Sequence, residues 1–113
     1  MKNTELEQIA QQFIAAANRF DTEAVLALFA DDAVIDDVSV GDKFEHTAGI
    51  KDYFLTFFVG YHTSTKLLSL EPTAPYKILA TVDFTGDFGR ETGGLDLRVN
   101  DAGLIAHIDA YLD

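Results

Sequence analysis

The chain has 113 residues, 48% of them apolar, with nine Phe, four Tyr and no Trp, enough for one domain with a real core. Acidic residues outnumber basic ones 19 to 8, for a net charge of -11. This argues against nucleic acid or an anionic membrane surface as partner, since both need a basic patch, and it serves mainly solubility. With no Cys there is no disulfide framework, thiolate chemistry or Cys-ligated zinc.

Met1–Glu5 lacks the apolar run of a signal peptide, and no segment is apolar enough to span a membrane, so a soluble cytoplasmic protein is expected. Leu6, Ile9, Ala10, Phe13, Ile14, Ala17 and Phe20 recur at helical spacing, which predicts a first helix from about Thr4 to Arg19. Asp21 or Thr22 can cap a second helix whose buried stripe is Val25, Leu28 and Phe29. Asp31-Asp32 reads as a turn, and Ala33 to Asp37 as a strand. Val38 to Glu45 is a loop or short hairpin around Gly41-Asp42. Thr47 can cap a third helix with Ile50, Tyr53, Phe54, Phe57 and Phe58 on its apolar face and a stop at Gly60.

From Thr65 the period changes to two. Strands are predicted at Thr65–Glu71, Tyr76–Thr85, Leu95–Asn100 and Leu104–Leu112. Pro72–Pro75 and Asn100–Gly103 are turns, and Gly86–Gly94 is a flexible hairpin loop. Helices first and then antiparallel strands give an α+β domain over residues 1–113, with helices on one face of a curved sheet.

The last hairpin can be registered from its turn by pairing Val99 with Leu104. One face then carries Leu95, Leu97, Val99, Leu104, Ala106, Ile108, Ala110 and Leu112. The other carries Asp96, Arg98, Ile105, His107, Asp109 and Tyr111, with His107 opposite Asp96. His107-Ile108-Asp109 therefore reads as outer-face charge pairing, not a catalytic pair.

In the first strand Ala33, Ile35 and Asp37 share a face. If that face is the interior, Asp37 is a carboxylate facing apolar surroundings and a candidate general base. The competing reading is a loop-edge carboxylate that caps the following turn. Asp36 points the other way and is a solvated strand residue. Asp83, in mid-strand, either lines the same interior or pairs outward with a Lys or Arg. His46, His62 and His107 are too scattered for a metal site. No Gly-rich phosphate loop, serine nucleophile elbow or nucleotide motif is present, and no cofactor is expected.

Phe29-Ala-Asp-Asp-Ala-Val-Ile-Asp-Asp37, His46-Thr-Ala-Gly-Ile-Lys-Asp-Tyr-Phe54 and the tail Ala102–Asp113 together resemble the SnoaL-like branch of the NTF2-like superfamily. That group includes ketosteroid isomerases, polyketide cyclases and limonene epoxide hydrolases. The resemblance implies a conical half-barrel, three helices over a curved and mainly antiparallel sheet, a deep apolar pocket, and a homodimer through the outer sheet face. It sets Asp37 at the isomerases' general-base position. The isomerases' hydrogen-bond donors, however, correspond here to Phe13, Phe57 and Leu95. Loss of such donors removes several kcal/mol of enolate stabilisation, which argues against steroid isomerisation. Among the epoxide hydrolases' groups, Asp83 resembles one carboxylate, but Thr81 and Ala110 stand for the arginine and the second carboxylate. A one-residue slip of the last strand would bring in Asp109 instead.

The sequence thus leaves three readings. One is a pocket for a small neutral hydrophobic or polyketide-like molecule, shaped by Phe13, Tyr53, Phe57, Leu95, Leu97 and Ile108, with Asp83 and Ala110 as further candidates and Asp37 acting as base on a C–H or a water. The second is a non-catalytic module of the same fold that binds a hydrophobic ligand or dimerises. The third is an adaptor using the sheet surface, which Asp96, Arg98 and His107 argue against.

Overall fold

The computed structural model describes residues 1–113. Helix α1 spans Asn3–Asn18 and buries Leu6, Ala10, Phe13, Ile14, Ala16 and Ala17, the apolar stripe its periodicity predicts. Helix α2, Thr22–Ala27, is capped by Asp21, whose side chain accepts from the Ala24 amide at 3.1 Å. Strand β1 then runs Phe29–Asp37, four residues longer at its start than the spacing suggests. Asp31-Asp32 forms no turn. It lies in an irregular stretch of the strand, where the pairing shifts between Phe29 and Val34 and both side chains face solvent.

Strand β2, Asp42–Glu45, returns antiparallel to β1. Helix α3, His46–Phe54, follows, with Glu45 rather than Thr47 at its cap. It continues into a π-helical turn, Leu55–Val59, closed by a Gly60 amide to Leu55 carbonyl bond of 2.8 Å. Strands β3 (Ser64–Ala74), β4 (Lys77–Gly86), β5 (Gly89–Val99) and β6 (Ile105–Leu112) complete the sheet in the order β2-β1-β6-β5-β4-β3. All neighbours are antiparallel except β1 and β6. The architecture is the expected α+β one, three helices on one face of a curved sheet. Asn18 ties helix to sheet, exchanging two hydrogen bonds of 2.8 and 2.7 Å with the backbone of Thr65.

Two further local expectations are corrected. Gly86–Gly94 is no flexible loop: β4 and β5 pair up to Gly86 and Gly89 across the two-residue turn Asp87-Phe88, which Gly89 permits with φ +103°. The last hairpin is displaced by two residues from the turn-based register. Leu95 faces Ala110 and Leu97 faces Ile108, while Val99 faces Ile105 across a bulge at Ala106. A shift of two preserves the faces of Leu95, Leu97, Ile108 and Ala110. The bulge reverses them at its far end, so Ile105, expected outside, is fully buried. His107 consequently lies opposite Arg98, and Asp96 opposite Asp109.

Candidate functional site

Along β1, Ala33 is fully buried, Ile35 is 2% exposed and Asp37 6%, so the strand does present its last carboxylate to the interior. The chain turns immediately after it. Asp37 Oδ1 accepts from the Ser39 amide at 2.9 Å and the Ser39 hydroxyl at 2.6 Å, a side chain-to-backbone turn that Asp favours. Oδ2 accepts from Tyr53 Oη at 2.6 Å. Parallel pairing sets Asp37 beside Ala110, whose methyl leaves room for this arrangement. Tyr53 is buried on α3, and its phenol is held well above the ordinary tyrosine value. Burial is the main cause, followed by the Asp37 charge and hydrogen bond. Tyr53 is therefore a neutral donor at every ordinary pH.

Asp37 and Tyr53 line a cavity of about 290 Å³ between α3, the π-helical turn and the sheet. The π-helical turn brings the consecutive residues Phe57 and Phe58 both to the cavity wall. It also frees the Phe57 carbonyl, which accepts from Thr63 Oγ1 at 2.7 Å. Aromatic contacts continue from floor to mouth: Phe58 to Tyr53 at 6.0 Å, Tyr53 to Phe57 at 5.3 Å, Phe57 to Tyr61 at 5.9 Å, Tyr61 to Phe88 at 6.2 Å. At the mouth, Asp87 links the two turns that flank the opening. Its amide donates to the Tyr61 carbonyl at 2.9 Å and its carboxylate lies 2.9 Å from His62 Nδ1.

The polar content of this wall is small and one-sided. Its charged members are Asp37 and, at the exposed mouth, Glu91; no Lys, Arg or His lines it. Three of its hydroxyls, those of Ser39, Tyr53 and Thr63, donate to protein acceptors. The arrangement can hold an apolar body against aromatic rings, with one buried carboxylate to accept a proton or hydrogen bond. No cluster of three or more His, Asp or Glu is arranged to hold a metal ion.

The structure brings Asp37, Tyr53 and Phe57 together on this wall. Phe13 is buried deeper, edge-on to Phe29 at 5.8 Å and to Phe58 at 6.5 Å. Leu95, Leu97, Ile108 and Ala110 belong to the buried core of the sheet's inner face. Asp83 takes the outward alternative: Arg90 Nε donates to both its oxygens at 3.0 and 2.9 Å, and Nη2 lies 2.7 Å from Oδ2. These hydrogen bonds, with the guanidinium charge, hold the Asp83 carboxyl below its usual range against a weaker opposing effect of burial.

Of this wall the sequence pointed only to Asp37, Tyr53 and Phe57; it missed Thr63, the rings of Phe58, Tyr61, Phe84 and Phe88, and the polar Ser39 and Glu91. Asp-x-Ser after a strand is a recognisable turn signal. Glu91 became readable only with the tight Asp87-Phe88 turn, which sets it opposite inward-facing Phe84.

A family model described as SnoaL-like domain matches residues 10–106. Among solved structures, RV0760c from Mycobacterium tuberculosis, in complex with estradiol-17beta-hemisuccinate, is similar at a TM-score of 0.85 and 24% identity, covering 96% of this chain and 94% of that one. A computationally designed 17-OHP binder is similar at 0.84 and 21%, covering 96% and 91%. SalBIII, an epoxide hydrolase/cyclase-like enzyme of pyran ring formation in polyether salinomycin, is similar at 0.86 and 16%, covering 100% and 95%. At these identities the likeness to the three structures concerns the fold.

Proposed function

This chain belongs to the SnoaL-like domain family, and on that premise we propose that its cavity binds a small hydrophobic molecule on which Asp37 acts as general base. The observation that carries the reading is Asp37 itself, 6% exposed at the inner end of a largely aromatic cavity. A carboxylate there is kept from bulk water, is oriented by Ser39 and Tyr53, and can take a proton from a bound C–H or water. Ligand binding by two proteins of this fold, one in complex with estradiol-17beta-hemisuccinate and one designed to bind 17-OHP, and pyran ring formation by a third support a hydrophobic, cyclic ligand.

The test is proton removal from 5-nitrobenzisoxazole, a small aromatic C–H acid. When a carboxylate takes its C–H proton, the ring N–O bond breaks and a coloured cyanonitrophenolate is released. Asp37→Asn should lower this rate by about 10²–10⁴-fold, the usual worth of a positioned base, with the far-UV circular dichroism unchanged. Equal rates in the two proteins reject the base.

A second reading, ligand binding without catalysis, is favoured by the committed hydroxyls. With Ser39, Tyr53 and Thr63 already donating to the protein and the Tyr61 hydroxyl out at the exposed mouth, an enolate formed beside Asp37 would find little stabilisation. The family expectation of a homodimer through the outer sheet face also enters as a proposal, taken up below.

A further inference from the structure

We infer that the preferred ligand is a hydrophobic cation, an amine protonated at neutral pH. The inference rests on the reading of the cavity as the ligand site, not on the base step.

Three observations carry it. First, the wall holds two carboxylates, Asp37 and Glu91, and no basic side chain. An anion would meet only repulsion there, and a neutral ligand would leave both charges without a counter-charge. Second, six aromatic rings line the same space: Tyr53, Phe57, Phe58, Tyr61, Phe84 and Phe88. Ring faces attract ammonium groups, most strongly where water is excluded. Third, the hydrogen-bonding capacity left at the buried end is for accepting; the remaining hydroxyl of the wall, that of Tyr61, lies at the exposed mouth. A carboxylate offers roughly four acceptor sites, and Asp37 fills three with Ser39 N–H, Ser39 O–H and Tyr53 O–H. One site remains, on Oδ2. Ser39, Tyr53 and Thr63, which could have recognised a carbonyl or a carboxylate by donation, already donate to protein oxygens. An ammonium N–H supplies what Asp37 lacks, and the hydrocarbon body covers the rings up to the mouth, where Glu91 adds a second, solvated counter-charge.

An isosteric trio tests this: 1-adamantylammonium, 1-adamantanol and adamantane-1-carboxylate share one hydrocarbon body and differ in charge. Binding is measured by calorimetry at neutral pH and 0.15 M salt, where attraction from distant surface charge is largely screened. The ammonium should bind about tenfold or more tighter than the alcohol, and the carboxylate weakest. Glu91→Gln, at the exposed mouth, should reduce the ammonium preference several-fold. Glu71→Gln, an equal charge change on the outer sheet face, should leave it unaltered. If the alcohol binds as tightly as the ammonium, the inference is overturned while the cavity reading stands. If Glu71→Gln weakens the preference as much as Glu91→Gln, net charge explains it and the inference also falls. If none of the three binds, both readings fail.

Discussion

Tyr53 donates its phenolic proton to Asp37 Oδ2 at 2.6 Å, joining α3 to the end of β1 inside an apolar wall. Neither group reaches water freely, since both are 6% exposed. The pair fixes one face of the carboxylate and leaves the tyrosine no acceptor but Asp37. Removing one partner strands the other, and hydrogen bonds to a buried charge are worth about 1.5–3 kcal/mol.

Tyr53→Phe keeps the ring and its packing but takes one donor from Asp37. Stability should fall by about 1.5–3 kcal/mol in urea unfolding at pH 7. The pH dependence has a definite sign. The folded phenol titrates above its unfolded value, so its contribution is complete below about pH 10 and is lost as pH rises through the folded value. The wild type should therefore lose stability above pH 10 more steeply than Tyr53→Phe. Parallel alkaline curves would mean that the phenol titrates normally.

Asp83 and Arg90 predict the opposite limb. Arg90 holds the Asp83 carboxyl below its usual range, so that contribution is present above the unfolded value, about pH 3.9, and disappears as pH falls through the folded one. Arg90→Met should start acid unfolding at a higher pH and leave neutral-pH ligand binding unaltered, because the pair lies on the outer face. Identical acid midpoints would show that the ion pair has no effect on folding.

On the outer face Asp36, Asp109 and Asp96 lie directly opposite one another on three neighbouring strands. Lys77 relieves Asp96 alone, at 3.6 Å, and His107 Nε2 lies 2.9 Å from Asp109. Like charges across a sheet cost a few tenths of a kcal/mol each. Asp109→Asn keeps an acceptor for His107 and should stabilise the domain by about 0.2–1 kcal/mol at low salt, less at high salt. If two copies associate through this face, added salt should strengthen the dimer in sedimentation equilibrium. A dimer weakened by salt would point to an ion-paired interface elsewhere.

Gly93 sits on β5 where the β6 backbone leaves no room for a side chain. A Cβ there would collide with the Tyr111 carbonyl, which is backbone and has little room to give. Gly93→Ala should cost about 1–3 kcal/mol or more, read from its thermal midpoint. Wild-type stability in this variant would mean that the strands separate easily at that point.

Much of the fold was legible because its signals are local and repeat. Leu6, Ala10, Phe13 and Ala17 mark one helix face, and Asp21 is a capping residue wherever it precedes a helix. Strand alternation set Asp37 on one face with Ala33 and Ile35, and that face is the buried one. What escaped depends on events that alternation does not encode. A bulge at Ala106 exchanges one residue for none on the partner strand and turns Ile105 inward. The π-helical turn at Leu55–Val59 adds a residue to the helix, and with it Phe57 and Phe58, both expected on the apolar face, come to the cavity wall. Glu91 was hidden by glycines that suggest a loop but serve a two-residue turn. The cavity itself depends on where Phe13, Leu95 and Leu97 stop as core and Tyr53, Phe57 and Phe58 begin as wall, a boundary set by packing in three dimensions.

The most direct test of the cavity as the ligand site is a titration of isotope-labelled protein with 1-adamantanol, followed through backbone amide shifts. Saturable shifts are expected to centre on Asp37, Ser39, Phe58 and Thr63, with Lys77, Asp96 and Asp109 on the outer face unmoved. Shifts centred on the outer face, or none at millimolar probe, would contradict it.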